Sequence, residues 1–244
     1  MGMEFVRQID QKCLGLDELW LIARRENKMK ALKGTTRAKL RYFPLDLVKD
    51  SYDPLIAALK EHRAEVKILV NSAGFGKTGP FMTMDGENAG GMVDVNCRAL
   101  TKITHCIIPF MTGRSYIINL ASAASFLPQP NFAVYAATKA YVLSFSRGLN
   151  RELRSRGIWV SAICPGPVDT EFFTIAEEGG TPYGLKKYFL ADKEKVVAQA
   201  LKKSFKKKEV IIYGAAMKTL PVMVKVFPQG LMLDIYAKML RGVE

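Results

Sequence analysis

Ser122, Tyr135 and Lys139 are the residues whose types and spacing could carry acid–base chemistry. Tyr135 and Lys139 stand four positions apart in a stretch of helical periodicity, which sets them on one helical face. Ser122 follows an apolar run that ends at Leu120. A free tyrosine has a pKa of about 10 and is protonated at neutral pH, while a neighbouring ammonium favours the phenolate. Lys139 is therefore expected to bring Tyr135 into a range useful for proton transfer.

Other motifs stand in a fixed order around this set. Asn71-Ser72-Ala73-Gly74 follows an apolar run, Asn96 lies in a helical segment, and Pro165-Gly166-Pro167-Val168-Asp169-Thr170 follows a later run. Singly, Asn96 reads as a capping or solvated residue and Ser122 as a turn former. In register, with Tyr135-Ala136-Ala137-Thr138-Lys139 thirteen positions after Ser122, the set closely resembles the active-site pattern of the short-chain dehydrogenase/reductase family. The resemblance runs from Gly2 to about Tyr213.

That resemblance implies an oxidoreductase interconverting a carbonyl and an alcohol with a nicotinamide cofactor. Ser122 would hold the carbonyl, Tyr135 would donate the proton as hydride arrives, and Lys139 would bond the nicotinamide ribose. Asn96 would hold a water linking the lysine to solvent. Asn71, Ala73 and Gly74 would support the sheet and admit the cofactor closely. Pro165, Gly166, Val168 and Thr170 would surround the nicotinamide carboxamide, and Asp46-Leu47 would meet the adenine edge. The apolar run ending at Ala23 is followed by Arg24-Arg25 rather than by an acid. Guanidinium groups there suit the 2′-phosphate of NADP(H), with Arg24 the first choice and Arg25 the second.

The elements that must position these residues follow from periodicity. Apolar runs at Glu18 to Ala23, Lys39 to Phe43, Val66 to Val70, Tyr116 to Leu120, Ile158 to Ile163 and Val210 to Tyr213 read as buried strands. Helical segments alternate with them at Ser51 to His62, Gly90 to Met111, Ala133 to Arg156 and Lys193 to Lys207. This alternation predicts one α/β domain with a doubly wound, Rossmann-type parallel sheet. Asp169 to Tyr188 reads as an irregular loop over the substrate, and 214–244 as an apolar tail packing on the domain or on a subunit interface.

One part of the family pattern is incomplete. Members begin with a strand and T-G-x-x-x-G-x-G, whereas here Met1-Gly2-Met3-Glu4-Phe5 opens the sequence and only Gly2 matches the motif's last glycine. The strand concerned lies centrally in the family's order, so two inner edges are expected to be unpaired, with weak cofactor binding as the consequence. A segment lying upstream of the written sequence is the expectation; a truncated product is the alternative.

Composition bounds the rest. In the 244 residues, 36 basic against 23 acidic residues give a net charge of +13, able to attract phosphates or an anionic surface. No aromatic stacking motif accompanies the lysines, so no nucleic-acid partner is expected. Four scattered cysteines and two histidines suggest no metal site and suit a reducing cytoplasm. Phe75, Phe126, Leu127, Phe172, Phe173 and Tyr183 could make an apolar pocket for a lipophilic carbonyl or alcohol. A homodimer or homotetramer is the expected assembly. Two other readings fit the same residues: a non-catalytic Rossmann-like binding or regulatory protein, and a peripheral membrane protein using the Met-, Leu- and Val-rich stretch Leu220 to Leu240.

Overall fold

The computed structural model describes residues 1–170, 172, 176 and 190–241. Six strands form where the apolar runs predict them: β1 (Glu18–Ile22), β2 (Lys39–Phe43), β3 (Ile68–Asn71), β4 (Ser115–Leu120), β5 (Ile158–Cys164) and β6 (Val210–Ile212). All pairings between them are parallel. They make two sheets, β1 with β2 and β3-β4-β5-β6 in sequential order. β1 and β3 share no ladder, which matches the two unpaired inner edges expected from the sequence.

Burial records the same split. β4 and β5 are buried almost throughout, while every residue of β1 and the first three of β3 are only half-buried. An apolar strand inside a covered parallel sheet would be hidden on both faces. Here Leu19, Leu21, Ile68 and Val70 look into a cleft between the two sheets.

Nine α-helices surround the strands: α1 (Gly2–Lys12), α2 (Glu26–Lys30), α3 (Asp53–Glu61), α4 (Gly86–Val93), α5 (Leu100–Ile107), α6 (Ala133–Leu153), α7 (Lys193–Ser204), α8 (Ala215–Val226) and α9 (Gln229–Arg241), counted among the described residues. A π-helical turn, Asp94–Ala99, joins α4 to α5. On one side of the sheets Leu55, Leu59, Ile103 and Ile107 pack with Ile117 and Val160, and Trp20, Ile22 and Phe43 lean on them. On the other, Phe5 and Ile9 of α1 pack with Ile118, Ile163, Val197 and Leu201. The two sheets are thus bridged by helices on both faces.

α6 buries Tyr135, Thr138, Lys139, Val142, Ser146, Asn150 and Leu153, a stripe at helical spacing turned towards β4 and β5. Its 3₁₀ extension, Arg154–Arg156, ends at Gly157 with φ 69°, the left-handed conformation a Cβ disfavours. α7 starts on Asp192, whose carboxylate accepts the Glu194 N–H at 2.8 Å. Lys202 and Lys203 lie in its last turn, where cations complement the helix dipole. The apolar tail expected over 214–244 is mostly helical among its described residues, as α8 and α9.

Candidate active site

Two strand ends and one helix build the wall that carries Ser122, Tyr135 and Lys139. Beyond β4, Ser122 caps a short 3₁₀ turn: its Oγ accepts the Ala124 N–H at 3.2 Å, and its own N–H donates to Ser125 Oγ at 3.3 Å. Ser125 Oγ in turn donates to the Lys139 carbonyl at 2.8 Å, and Ala123 N–H donates to Pro165 O at 2.8 Å. The serine turn is therefore tied to α6 on one side and to the Pro165 turn after β5 on the other.

Tyr135 is 7% exposed. Its ring stacks on Phe132 at 4.2 Å between centroids and meets Phe172 at 5.3 Å. Burial pushes its hydroxyl up to about 12, against a smaller downward pull from the hydrogen bond it shares with Ser122. Lys139 does not reverse this, contrary to the sequence expectation. Its Nζ donates to Leu120 O at 2.8 Å and lies 5.6 Å from the tyrosine ring centroid. Burial lowers the ammonium itself to about 8.

Asn96 lies in the π-helical turn, a distortion often found at functional sites, and is 1% exposed. Its amide donates to Phe75 O at 2.9 Å and Thr138 Oγ1 at 3.0 Å, and its oxygen accepts Phe75 N–H at 3.1 Å. It thus pins the loop after β3 to α6 without lining the cleft. Gly74 is confined by the same arrangement, since a Cβ there would come within 2.8 Å of Asn96 Oδ1 and 3.3 Å of Lys139 Nζ. Asn71 Nδ2 donates to Thr104 Oγ1 at 2.9 Å and Asn119 Oδ1 at 2.8 Å, and Asn119 continues to Ser146. This buried chain couples β3 and β4 to α5 and α6.

The cleft has a volume of about 2180 Å³. It collects Ser122, Tyr135 and Lys139 with all of the expected cofactor contacts: Gly2, Arg24, Arg25, Asp46, Leu47, Asn71, Ala73, Gly74, Pro165, Gly166, Val168 and Thr170. Gly2 opens α1 so near the loop after β3 that a Cβ would stand 2.9 Å from Ser72 Oγ. Arg24 is 76% exposed, with Asp46 4.0 Å from its guanidinium. The absence of an acid directly after β1 therefore does not leave the site without a carboxylate, since Asp46 comes from the neighbouring strand end.

The expected apolar pocket is realised in part. Phe75 and Phe172 pack around Tyr135 with Met92 and Phe132, whereas Phe126 packs elsewhere with Leu100 and Val142 and Leu127 is buried. Phe173, Tyr183 and most of the expected loop lie outside the described residues. Phe132, Met217, Leu220 and Tyr236 also line the cleft. Phe132 was legible as an aromatic one helical turn before Tyr135, while the tail residues carried no such signal.

A cleft that runs between the two sheets to the carboxyl ends of their parallel strands, with a Ser/Tyr/Lys wall and a guanidinium rim there, has the form of a Rossmann-type oxidoreductase site. A family model described as short chain dehydrogenase matches residues 2–179, and the chain belongs to that family. It is 34% identical over 169 residues to sulfoacetaldehyde reductase 2 of Chromohalobacter salexigens, covering 66% of this chain and 67% of that protein. It is 32% identical over 160 residues to serine 3-dehydrogenase of Agrobacterium fabrum, covering 64% of each. Among solved structures, a short-chain dehydrogenase from Sphingobium yanoikuyae in complex with NADPH is similar at TM-score 0.74 and 26% identity, covering 96% of this chain and 91% of that one.

Proposed function

We propose that the protein is an NADP(H)-dependent oxidoreductase that interconverts a carbonyl and an alcohol through Ser122, Tyr135 and Lys139. The observation that carries this reading is the meeting of the three side chains on one wall of the cleft, Tyr135 and Lys139 buried and Ser122 half-buried. The donors present suit the cofactor: Arg24 offers an exposed guanidinium for a 2′-phosphate, and Gly2 and Gly74 let α1 and the loop after β3 pack closely where they line the cleft. Ala73, Gly166, Val168 and Thr170 would hold the cofactor's other parts, Asn71 would brace the strand below it, and Asp46 and Leu47 would meet its adenosine end. When bound, NADP(H) supplies or accepts the hydride.

The protein's own part is orientation and proton traffic. Ser122 holds the carbonyl oxygen by a hydrogen bond. Tyr135 delivers its phenolic proton to that oxygen, and its raised pKa keeps it protonated at neutral pH, as carbonyl reduction requires. Lys139 is a partly titrated ammonium near pH 8 that can return a proton to the tyrosine side. Asn96 fixes the Phe75 loop and so acts as a positioning residue. Phe75, Phe132 and Phe172 make an apolar surround that favours a lipophilic carbonyl compound. NADPH consumption against a panel of aliphatic, aromatic and polycyclic ketones tests this; binding of NADPH without turnover of any member would favour a binding protein instead.

A further inference from the structure

Helices α8 and α9 carry a surface that the proposed reaction does not use. We infer that their outer face docks on an anionic lipid surface. Of the thirteen exposed large apolar side chains among the described residues, six lie within the fourteen positions from Val222 to Ile235. Val222, Met223, Val226, Phe227, Leu231 and Ile235 are each between 43% and 68% exposed. On α8, positions 222, 223 and 226 fall on one arc of the helix, and on α9 positions 231 and 235 are one turn apart. A cluster of this kind is unusual on a solvated surface.

Charge selects the occupant. Residues 214–241 contain Lys218, Lys225, Lys238 and Arg241 against a single acid, Asp234, and Lys218, Lys225 and Lys238 are exposed. Lys203 at the end of α7 adds to this side: burial first, then repulsion from Lys218 and Lys208, holds its ammonium below the usual lysine range. Cations bordering an apolar stripe match a layer of anionic headgroups over acyl chains. A second copy would bring the same excess of cations, four against one acid, to the other side of the contact, without complementary charge. No helix among the described residues is long and apolar enough to cross a membrane, so the contact is a surface one. Met217, Leu220 and Tyr236 of the same helices line the cleft, and docking would therefore bring the lipid boundary to the cleft's side of the molecule.

The test is co-sedimentation of the full chain with phosphatidylcholine vesicles, with and without phosphatidylglycerol. Binding to the anionic vesicles, weakened by salt and by Lys218→Glu with Lys225→Glu, is the expected result. Val226→Asp with Phe227→Asp should weaken it at least about tenfold while leaving the melting temperature and NADPH titration unchanged, since neither residue lines the cleft. Equal or absent binding to the two vesicle types overturns the proposal. So does a concentration-dependent dimer that the aspartate variant dissolves without any vesicle binding, which would assign the face to a second copy. Neither readout depends on turnover, so failure here and failure of the oxidoreductase reading are distinguishable.

Discussion

Tyr135→Phe separates the chemistry of the site from its packing. The ring's surroundings survive the change: phenylalanine can keep the 4.2 Å stack on Phe132 and the 5.3 Å contact with Phe172. What is lost is the hydroxyl and its hydrogen bond with Ser122. A typical intramolecular hydrogen bond is worth about 0.5–1.5 kcal/mol net, and the low end applies because Ser122 Oγ still accepts the Ala124 N–H at 3.2 Å. For a chain of this length about 1 kcal/mol lowers the melting temperature by roughly 2–4 °C. Tyr135→Ala, by contrast, would open a cavity among Met92, Phe132 and Phe172 and cost about 3–5 kcal/mol. Removing one positioned proton donor slows catalysis about 10²–10⁴-fold. The phenylalanine variant should therefore melt within a few degrees of the parent, bind NADPH nearly as well by fluorescence titration, and turn over any ketone substrate at least a hundredfold more slowly. Turnover close to that of the parent would remove Tyr135 from the proton-transfer role. A large fall in melting temperature would mean that the hydroxyl is structural.

Arg24→Ala should weaken NADPH at least about tenfold more than NADH in the same titration, because a charge-assisted hydrogen bond is worth roughly 1.5–3 kcal/mol and only NADPH carries the 2′-phosphate; equal losses would count against this assignment. Lys139 is held at about 8 in the fold, below its ordinary 10.5, so between those values the unfolded chain binds more protons. Lys139 should therefore add stability as pH rises above about 8, while burial raises Cys164 from 9.0 and Tyr135 from 10.0, both to about 12, and works the other way above about 9 and 10. The test is the difference between parent and Lys139→Met in denaturant melts, which should grow in the parent's favour between about 8 and 10.5; a constant difference would refute the burial argument. Appending a five-residue apolar strand and a glycine-rich turn ahead of Met1 should raise the melting temperature and tighten NADPH by filling the unpaired edges of β1 and β3. Identical melts and affinities with and without the strand would show that those edges are satisfied in another way.

Much of this was legible because it depends on local pattern. The six strands have short Ile-, Val- and Leu-rich runs, and the Tyr135-to-Lys139 spacing holds on any α-helix. What sequence could not give was the balance of long-range effects on the reacting groups. A lysine four residues from a tyrosine suggests a lowered phenol pKa, but the outcome depends on where the ammonium points and how much water remains. Here Lys139 bonds Leu120 O and burial dominates both groups. Asp46 is similar: its approach to Arg24 follows from the parallel pairing of β1 with β2, which joins residues far apart in sequence. The tail's folding into α8 and α9 was hidden by Pro221, Pro228 and Gly230, which interrupt its periodicity.

The split between the sheets also divides the work of the site. Ser122, Tyr135, Lys139 and the Pro165 turn all belong to the four-stranded half, where β4, β5 and α6 are buried and cross-linked by Ser125, Asn71 and Asn119. Arg24, Arg25 and Asp46 belong to the two-stranded half, joined to the rest by helix packing and half-buried side chains rather than by a ladder. Distances among Ser122, Tyr135 and Lys139 are thus set within one well-packed unit. The span from those groups to the guanidinium rim is set across the cleft. A substitution that loosens the cleft wall, such as Leu21→Ala in β1, should accordingly raise the KM for NADPH before it lowers kcat. The same truncation at Val142, which is fully buried on α6, should affect kcat and stability together, because it disturbs the unit that holds Ser122, Tyr135 and Lys139.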